Sequence, residues 1–336
     1  MLSRRQLIAS AFAASLAATA PALAQSTPVT IALDWTPNTN HIGLYVAQAK
    51  GFYAQAGLEV QIVPYSDTSA GTLVANHVVD FGILGSLGLY TQRAAGADLV
   101  GTYAVVQTET GRLVFNADRT DIQSPKDLDG LTYGGFGSDW ENALVSTIIR
   151  HDGGEGKFET VTLGTSAYQA LANGAVDFTL EVYTWEGVQA ELENKKQRAF
   201  RYADFGVPDQ HTTFIGSSRA YLDKNPQTAA SFITATQRGY AYAVAHPDEA
   251  ADILVAADSD ALTDRSLIVA SLSALIDGHY LQTADGVIGT IDPAKMEAIG
   301  DYLFKAGILR DANGDVIAER PDFSSYYTNA YLAAGQ

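Results

Sequence analysis

The sequence predicts an α/β protein of two lobes, each a mostly parallel sheet flanked by helices, joined by two crossovers. Three observations carry that reading. Short apolar β-type runs alternate with helical patterns almost to residue 217, as expected of parallel strands with helices on the sheet faces. "AGTLVANHVVDFGIL" (70–84) and "AYQALANGAVDFTLE" (167–181) echo each other as helix, polar turn and Val-Asp-Phe strand, a weak internal repeat of one α/β unit. The length, 336 residues, suits two domains with ample buried core.

The elements follow in order. Strand 29–33 leads to helix 41–56, closed by Gly57, and strand 59–63 leads to helix 69–76. "VDFGILG" (79–85) is a third strand and 87–95 a third helix, after which 99–106 and 112–115 read as paired strands. A second unit starts at "SPKDLDGLTYGGFGS" (124–138), with strand 131–134 and helix 139–151. Strand 161–163, helix 166–173, strand 176–180 and helix 185–193 continue it, and "TTFIGSS" (212–218) returns as a strand to the first unit. Beyond Ala220 the chain reads as helices at 226–245, 247–256, 264–276 and 293–306, with proline or acids near several starts. The crossovers fall near Val114 and Ile215, giving lobe 1 as 25–115 with 216–336 and lobe 2 as 116–215.

Residues 1–24 read as a secretory signal peptide: a basic start with Arg4 and Arg5, an apolar stretch from Leu7, and an A-x-A site at Ala22-Leu23-Ala24. The Ser3-Arg4-Arg5-Gln6-Leu7 run also fits a twin-arginine signal. The apolar stretch is shorter than the roughly 20 residues a membrane span needs, so a periplasmic protein is expected. Its removal takes the net charge from −17 to −19, because two arginines leave and no acid does. That acidity argues against nucleic acid or an anionic membrane as partner. The chain has no cysteine, which excludes disulfides, thiolate metal sites, a cysteine nucleophile and a lipid anchor on an N-terminal cysteine.

Three polar-aromatic clusters lie at strand ends, where ligands of open α/β sheets bind. In "DWTPNTNH" (34–41), Asn38, Thr39 or Asn40 can cap the following helix. Trp35 and His41 are not needed for that, and either pack locally or face a flat ligand that Trp35 stacks on and Asn38, Asn40 and His41 bond to. In "YGGFGSDWENA" (133–143), the Gly135-Phe136-Gly137-Ser138 run brings backbone amides to a helix start, a place for an anion or polar ligand edge. Ser138 and Glu141 also have capping-box spacing; a Glu141 not used up in capping is free to accept from a ligand amino group. In "LEVYTWEG" (180–187), Glu181, Tyr183, Trp185 and Glu186 crowd into six positions. Aromatic faces with carboxylates suit a planar, amino-bearing ring.

Catalytic signatures are thin. The glycine loop lacks the lysine and hydroxyl of a nucleotide-binding loop, there is no GxSxG or HExxH, and the six histidines show no metal-ligand spacing. His211, beside the returning strand, is a candidate cleft residue. No cofactor and no metal are called for.

"LDWTPNTNHIGLYVAQAKGFYAQAGLEV" (33–60), "GGFGS" with Glu141, "WEGVQAELE" (185–193) and "PDFSSYYTNAYL" (321–332) together resemble the periplasmic binding proteins for thiamine-pyrimidine precursors. These are the formyl-aminopyrimidine-binding components of ABC importers, related to fungal pyrimidine-precursor synthases. The resemblance implies a two-lobed type II periplasmic-binding-protein fold that closes on an aminopyrimidine, without chemistry of its own. It also implies an inner-membrane ABC permease as partner and, by analogy, a monomer. The fungal synthases carry a cysteine-rich iron-binding stretch before the return crossover, where this chain reads "GVPDQHTTFIG" (206–216), so an iron-dependent synthase is not expected. Related binding proteins carry riboflavin, whose flat ring would also suit Trp35 and Trp185.

Overall fold

A computed structural model describes residues 26–259 and 262–333; the leader at 1–24 lies outside them. The first half runs β1 (Thr27–Ala32), α1 (Ile42–Ala49), α2 (Phe52–Gln55), β2 (Leu58–Val63), α3 (Ala70–Ala75), β3 (Phe81–Gly85), α4 (Ser86–Ala94) and β4 (Val100–Val106). The second runs β5 (Gly111–Asn116), β6 (Thr132–Gly135), α5 (Asp139–His151), β7 (Glu159–Thr162), α6 (Ala167–Ala172), β8 (Phe178–Val182), a π-helical turn at Tyr183–Gly187, α7 (Val188–Leu192) and β9 (Gln197–Arg201). Then follow β10 (Thr213–Ser217), α8 (Arg219–Lys224), α9 (Pro226–Ala245), α10 (Pro247–Ala257), α11 (Arg265–Asp277) and α12 (Pro293–Lys305).

The ten strands form two mixed five-stranded sheets, ordered β2-β1-β3-β10-β4 and β7-β6-β8-β5-β9. In each sheet the fourth strand arrives from the other half of the chain and runs antiparallel to both neighbours. The 99–106 and 112–115 runs are therefore not paired: β4 ends the first sheet and β5 enters the second. The crossovers lie at 107–110 and just before β10, so Val114 and Ile215 sit inside strands rather than at the boundary. β9, "QRAFR", has no counterpart in the sequence reading, because its charges mask a strand that pairs on one side only.

Alternation along the strands puts Ile31, Phe81 and Ile215 into a core under α1, α9, α10 and α11. Ala32, Leu84 and Phe214 enter a second core on the opposite face, under α3, α4 and α12. Two smaller cores flank the second sheet. Helices α1 and α9 cross so closely that a Cβ on Gly239 would stand 2.0 Å from the Gly43 carbonyl oxygen.

The Val-Asp-Phe echo has a physical cause. The Asp80 carboxylate accepts from the Thr30 amide of β1 at 2.8 Å, and Asp177 accepts from the Thr132 amide of β6 at 2.8 Å. Phe81 and Phe178 are fully buried. Each Asp ties the start of one strand to its parallel neighbour, once per lobe. The turn before it needs a left-handed residue: Gly174 (φ 71°) in the second half, His77 (φ 57°) in the first.

The second crossover carries His211, whose Nε2 accepts from the Asp292 amide at 2.8 Å. It lines a separate cavity behind the crossovers, with Lys295 and Asp292, rather than the main cleft. Burial, helped by Lys295, pushes its imidazole down to about 4.

Two outcomes follow from these positions. His77→Gly should stabilise the protein by about 0.5–1 kcal/mol in urea unfolding, because the left-handed penalty of about 1–2 kcal/mol exceeds the entropic cost of glycine. His211 binds its proton near pH 6.5 when unfolded and near pH 4 when folded, so its share of stability is present above pH 6.5 and lost as the pH falls to 4. His211→Gln, which keeps an acceptor for the Asp292 amide, should remove up to about 3 kcal/mol of that acid loss.

Candidate functional site

A cleft of about 450 Å³ opens at the carboxyl ends of the parallel strands, between the two sheets. Trp35, Asn38, Asn40, Phe136, Glu181, Trp185 and Glu186 line it, as the sequence led one to expect. Trp35 is 44% exposed, its ring tilted 48° against Tyr65 at 5.2 Å. The Asn38 side chain accepts from the Asn40 amide at 2.9 Å, so the capping role is real, yet both asparagines still face the cleft.

His41 does not reach the cleft; it is fully buried. Its Nδ1 accepts from the Asn38 amide at 3.3 Å, which leaves the proton on Nε2 to be donated to Asp34 Oδ1 at 2.9 Å. The aspartate preceding Trp35 is thus the group that enters the cleft, and His41 holds it.

The glycine loop also departs from expectation. Glu141 is 2% exposed: its Oε1 accepts from the Tyr133 hydroxyl (2.9 Å) and the Phe136 amide (2.8 Å). Its Oε2 accepts from the Ser138 amide and hydroxyl, both at 2.9 Å. The anion site that a helix start offers is filled by the chain's own carboxylate. Gly135, Gly137, Ser138 and Glu141 therefore stand behind the cleft wall, and Phe136, 49% exposed, is what the loop presents. Gly135 must lack a side chain, because a Cβ there would lie 2.7 Å from Glu141 Oε1.

Tyr183 likewise turns away, lying under the Arg112 guanidinium at 4.2 Å and against the first lobe's core. The π-helical turn that begins at Tyr183 leaves Thr184, Trp185 and Glu186 on the cleft side. Glu181 Oε1 accepts from Arg112 Nε at 2.7 Å, and Glu186 Oε2 from the Val182 amide at 3.2 Å. Burial raises both carboxyls above their usual range; Arg112 works against this at Glu181, and the Val182 amide does so at Glu186.

The sequence reading missed Glu109, in the first crossover. It accepts from the Gly111 amide at 2.7 Å and from Gln210 Nε2, in the second crossover, at 2.6 Å. Gln210 in turn accepts from Ser86 Oγ at 2.8 Å. Burial raises the Glu109 carboxyl as well. Asp209 accepts from the Glu109 amide at 2.8 Å and pairs with Lys295 at 2.7 Å. Trp140, Tyr168 and Tyr202 complete the aromatic lining. Trp140 and the Asp of "DWTPNTNH" stood inside the polar-aromatic clusters already singled out, and Tyr168 inside the 167–181 echo.

The lobes also touch across the cleft. Ser271 of α11 donates to the Thr184 carbonyl at 2.5 Å, so Thr39 donates to Ser271 Oγ at 2.6 Å. On the other side, Tyr302 of α12 donates to Thr147 of α5 at 3.0 Å. Asp34, Glu109, Glu181 and Glu186 all line the space, and no Lys, Arg or His does among the described residues. Such a cleft demands hydrogen-bond donors or positive charge from its occupant.

Comparison with known proteins agrees with this architecture. The chain is 28% identical over 282 residues to a formylaminopyrimidine-binding protein of Halalkalibacterium halodurans, covering 82% of this chain and 84% of that one. It is 30% identical over 243 residues to a putative thiamine biosynthesis protein of Haemophilus influenzae, covering 71% and 76%. The solved structure of the periplasmic aliphatic sulphonate binding protein SsuA from Escherichia coli superposes with a TM-score of 0.68 at 17% identity over 92% of this chain and 94% of that one, which shows the periplasmic-binding-protein fold. The family model described as NMT1/THI5 like matches residues 38–250, and the chain belongs to that family.

Proposed function

We propose that the protein is the solute-binding component of an ABC importer, that it captures a thiamine-related aminopyrimidine in the interlobe cleft, and that it hands the ligand unchanged to an inner-membrane permease. The leader read in the sequence supports export to the periplasm for this task. The observation that carries the ligand class is the set of four carboxylates facing aromatic walls, with no cationic side chain lining the cleft among the described residues. A flat ring bearing amino groups satisfies both: its faces stack, and its amino hydrogens meet groups that can only accept. An anionic ligand such as a sulfonate would meet like charge, and the helix start that would otherwise receive it is occupied by Glu141. The formylaminopyrimidine-binding relative points to the same ligand class, which favours it over a flavin. Trp35 with Trp185 would hold the ring; Asp34, Glu181 and Glu186 would accept from it, and Asn38 and Asn40 would fix its edge.

Calorimetry with formyl-aminopyrimidine, hydroxymethyl-pyrimidine, riboflavin and an alkanesulfonate tests this. One or both pyrimidines should bind, and chromatography should recover them intact; binding of riboflavin or sulfonate alone would overturn it. Trp35→Ala should cost about 1–3 kcal/mol of affinity, the range of base–aromatic stacking. Glu141→Gln should cost less affinity than Trp35→Ala while lowering the unfolding midpoint. Glu186→Gln should lose about 1.5–3 kcal/mol, as expected for a charged hydrogen bond, and an unchanged affinity would remove Glu186 from the site.

A further inference from the structure

The cleft is larger than one ring. Thr39, Thr184 and Trp185 bound it beside α11, on the face of the first sheet that packs under α1, α9 and α10. Leu87, Ile299 and Leu303 also line it, and they belong with the core on the opposite face of that sheet. The space therefore runs across the carboxyl edge of the sheet from one face to the other. The first end is rich in hydrogen-bonding groups. The second is apolar and is closed from the other lobe by Trp140, which packs on the cores of both lobes. An aminopyrimidine of ten to twelve heavy atoms, allotted even the roughly 30 Å³ that liquid water takes per heavy atom, fills about two thirds to four fifths of the 450 Å³.

We propose that the preferred ligand is two-part: an amino-bearing pyrimidine joined to an apolar group of about ring size, which occupies a subsite made by Leu87, Trp140, Ile299 and Leu303. This rests on the aminopyrimidine reading and specifies it further. Because α12 and α5 meet there through Tyr302 and Thr147, an occupant touches both lobes at that end as well as at the hydrogen-bonding end.

The test compares 4-amino-5-aminomethyl-2-methylpyrimidine with its N-benzyl derivative by calorimetry on the mature protein. The benzyl derivative should bind at least tenfold more tightly. That ratio should fall below threefold in Leu87→Ala, at a half-buried lining position, and by at least half in Ile299→Val, a smaller change that spares the α12 core. Equal or weaker binding of the benzyl derivative, or a ratio that survives both substitutions, overturns the two-part ligand while leaving the pyrimidine reading standing. If neither compound binds, the pyrimidine reading itself fails and the subsite falls with it.

Discussion

A carboxylate can only accept hydrogen bonds, and four of them face one cleft that no cationic side chain lines among the described residues. Each is held from behind by a group of its own. His41 donates to Asp34, Arg112 to Glu181, the Gly111 amide and Gln210 to Glu109, and the Val182 amide to Glu186. These supports spend some of the oxygens' accepting capacity and fix where the rest points. Burial disfavours the charge on Glu109, Glu181 and Glu186, so a ligand that donates to them relieves that cost. Glu141 completes the pattern by closing the chain's own anion site.

In the proposed function, the same constraint couples binding to lobe closure. Glu109 lines the cleft floor and also fastens one crossover to the other, so a contact made there is felt by both lobes. Away from the crossovers, the lobes meet through Ser271 and Thr184 on one side and through Tyr302 and Thr147 on the other. A ligand that bridges these walls favours the state in which they are close. That differential contact is what a population shift between open and closed forms requires.

Much of the fold was legible in the sequence. Helices α9 and α12 were marked by proline at their starts, and Asp292 caps α12 by accepting from the Ala294 amide. The Val-Asp-Phe echo proved to be a repeated strand-tying aspartate. The pairing of β4 was misread because a four-residue link serves a hairpin and a crossover alike, and only the tertiary structure distinguishes them. At the site, residue types were readable but directions were not. The Ser138–Glu141 spacing allowed either a cap or a ligand contact, and the Tyr133 hydroxyl and Phe136 amide decide for the cap. His41 was read as the ligand contact and its neighbour Asp34 was passed over, yet burial of the imidazole leaves the carboxylate in the cleft. A π-helical turn shifts which side chains share a face, and Tyr183 turns away while Trp185 turns in. Glu109 carried no local signal, since its partner Gln210 lies a hundred residues further along.

The most direct measurement exchanges a single group on the ligand. Calorimetry should compare 4-amino-5-hydroxymethyl-2-methylpyrimidine with its 4-methyl counterpart, nearly identical in shape, in which a methyl group replaces the amino donor and no new N–H appears. Facing acceptor-only carboxylates, the methyl compound should bind at least about tenfold more weakly, as expected for loss of a charged hydrogen bond. Equal or tighter binding of the methyl compound would contradict a cleft selected for hydrogen-bond donors.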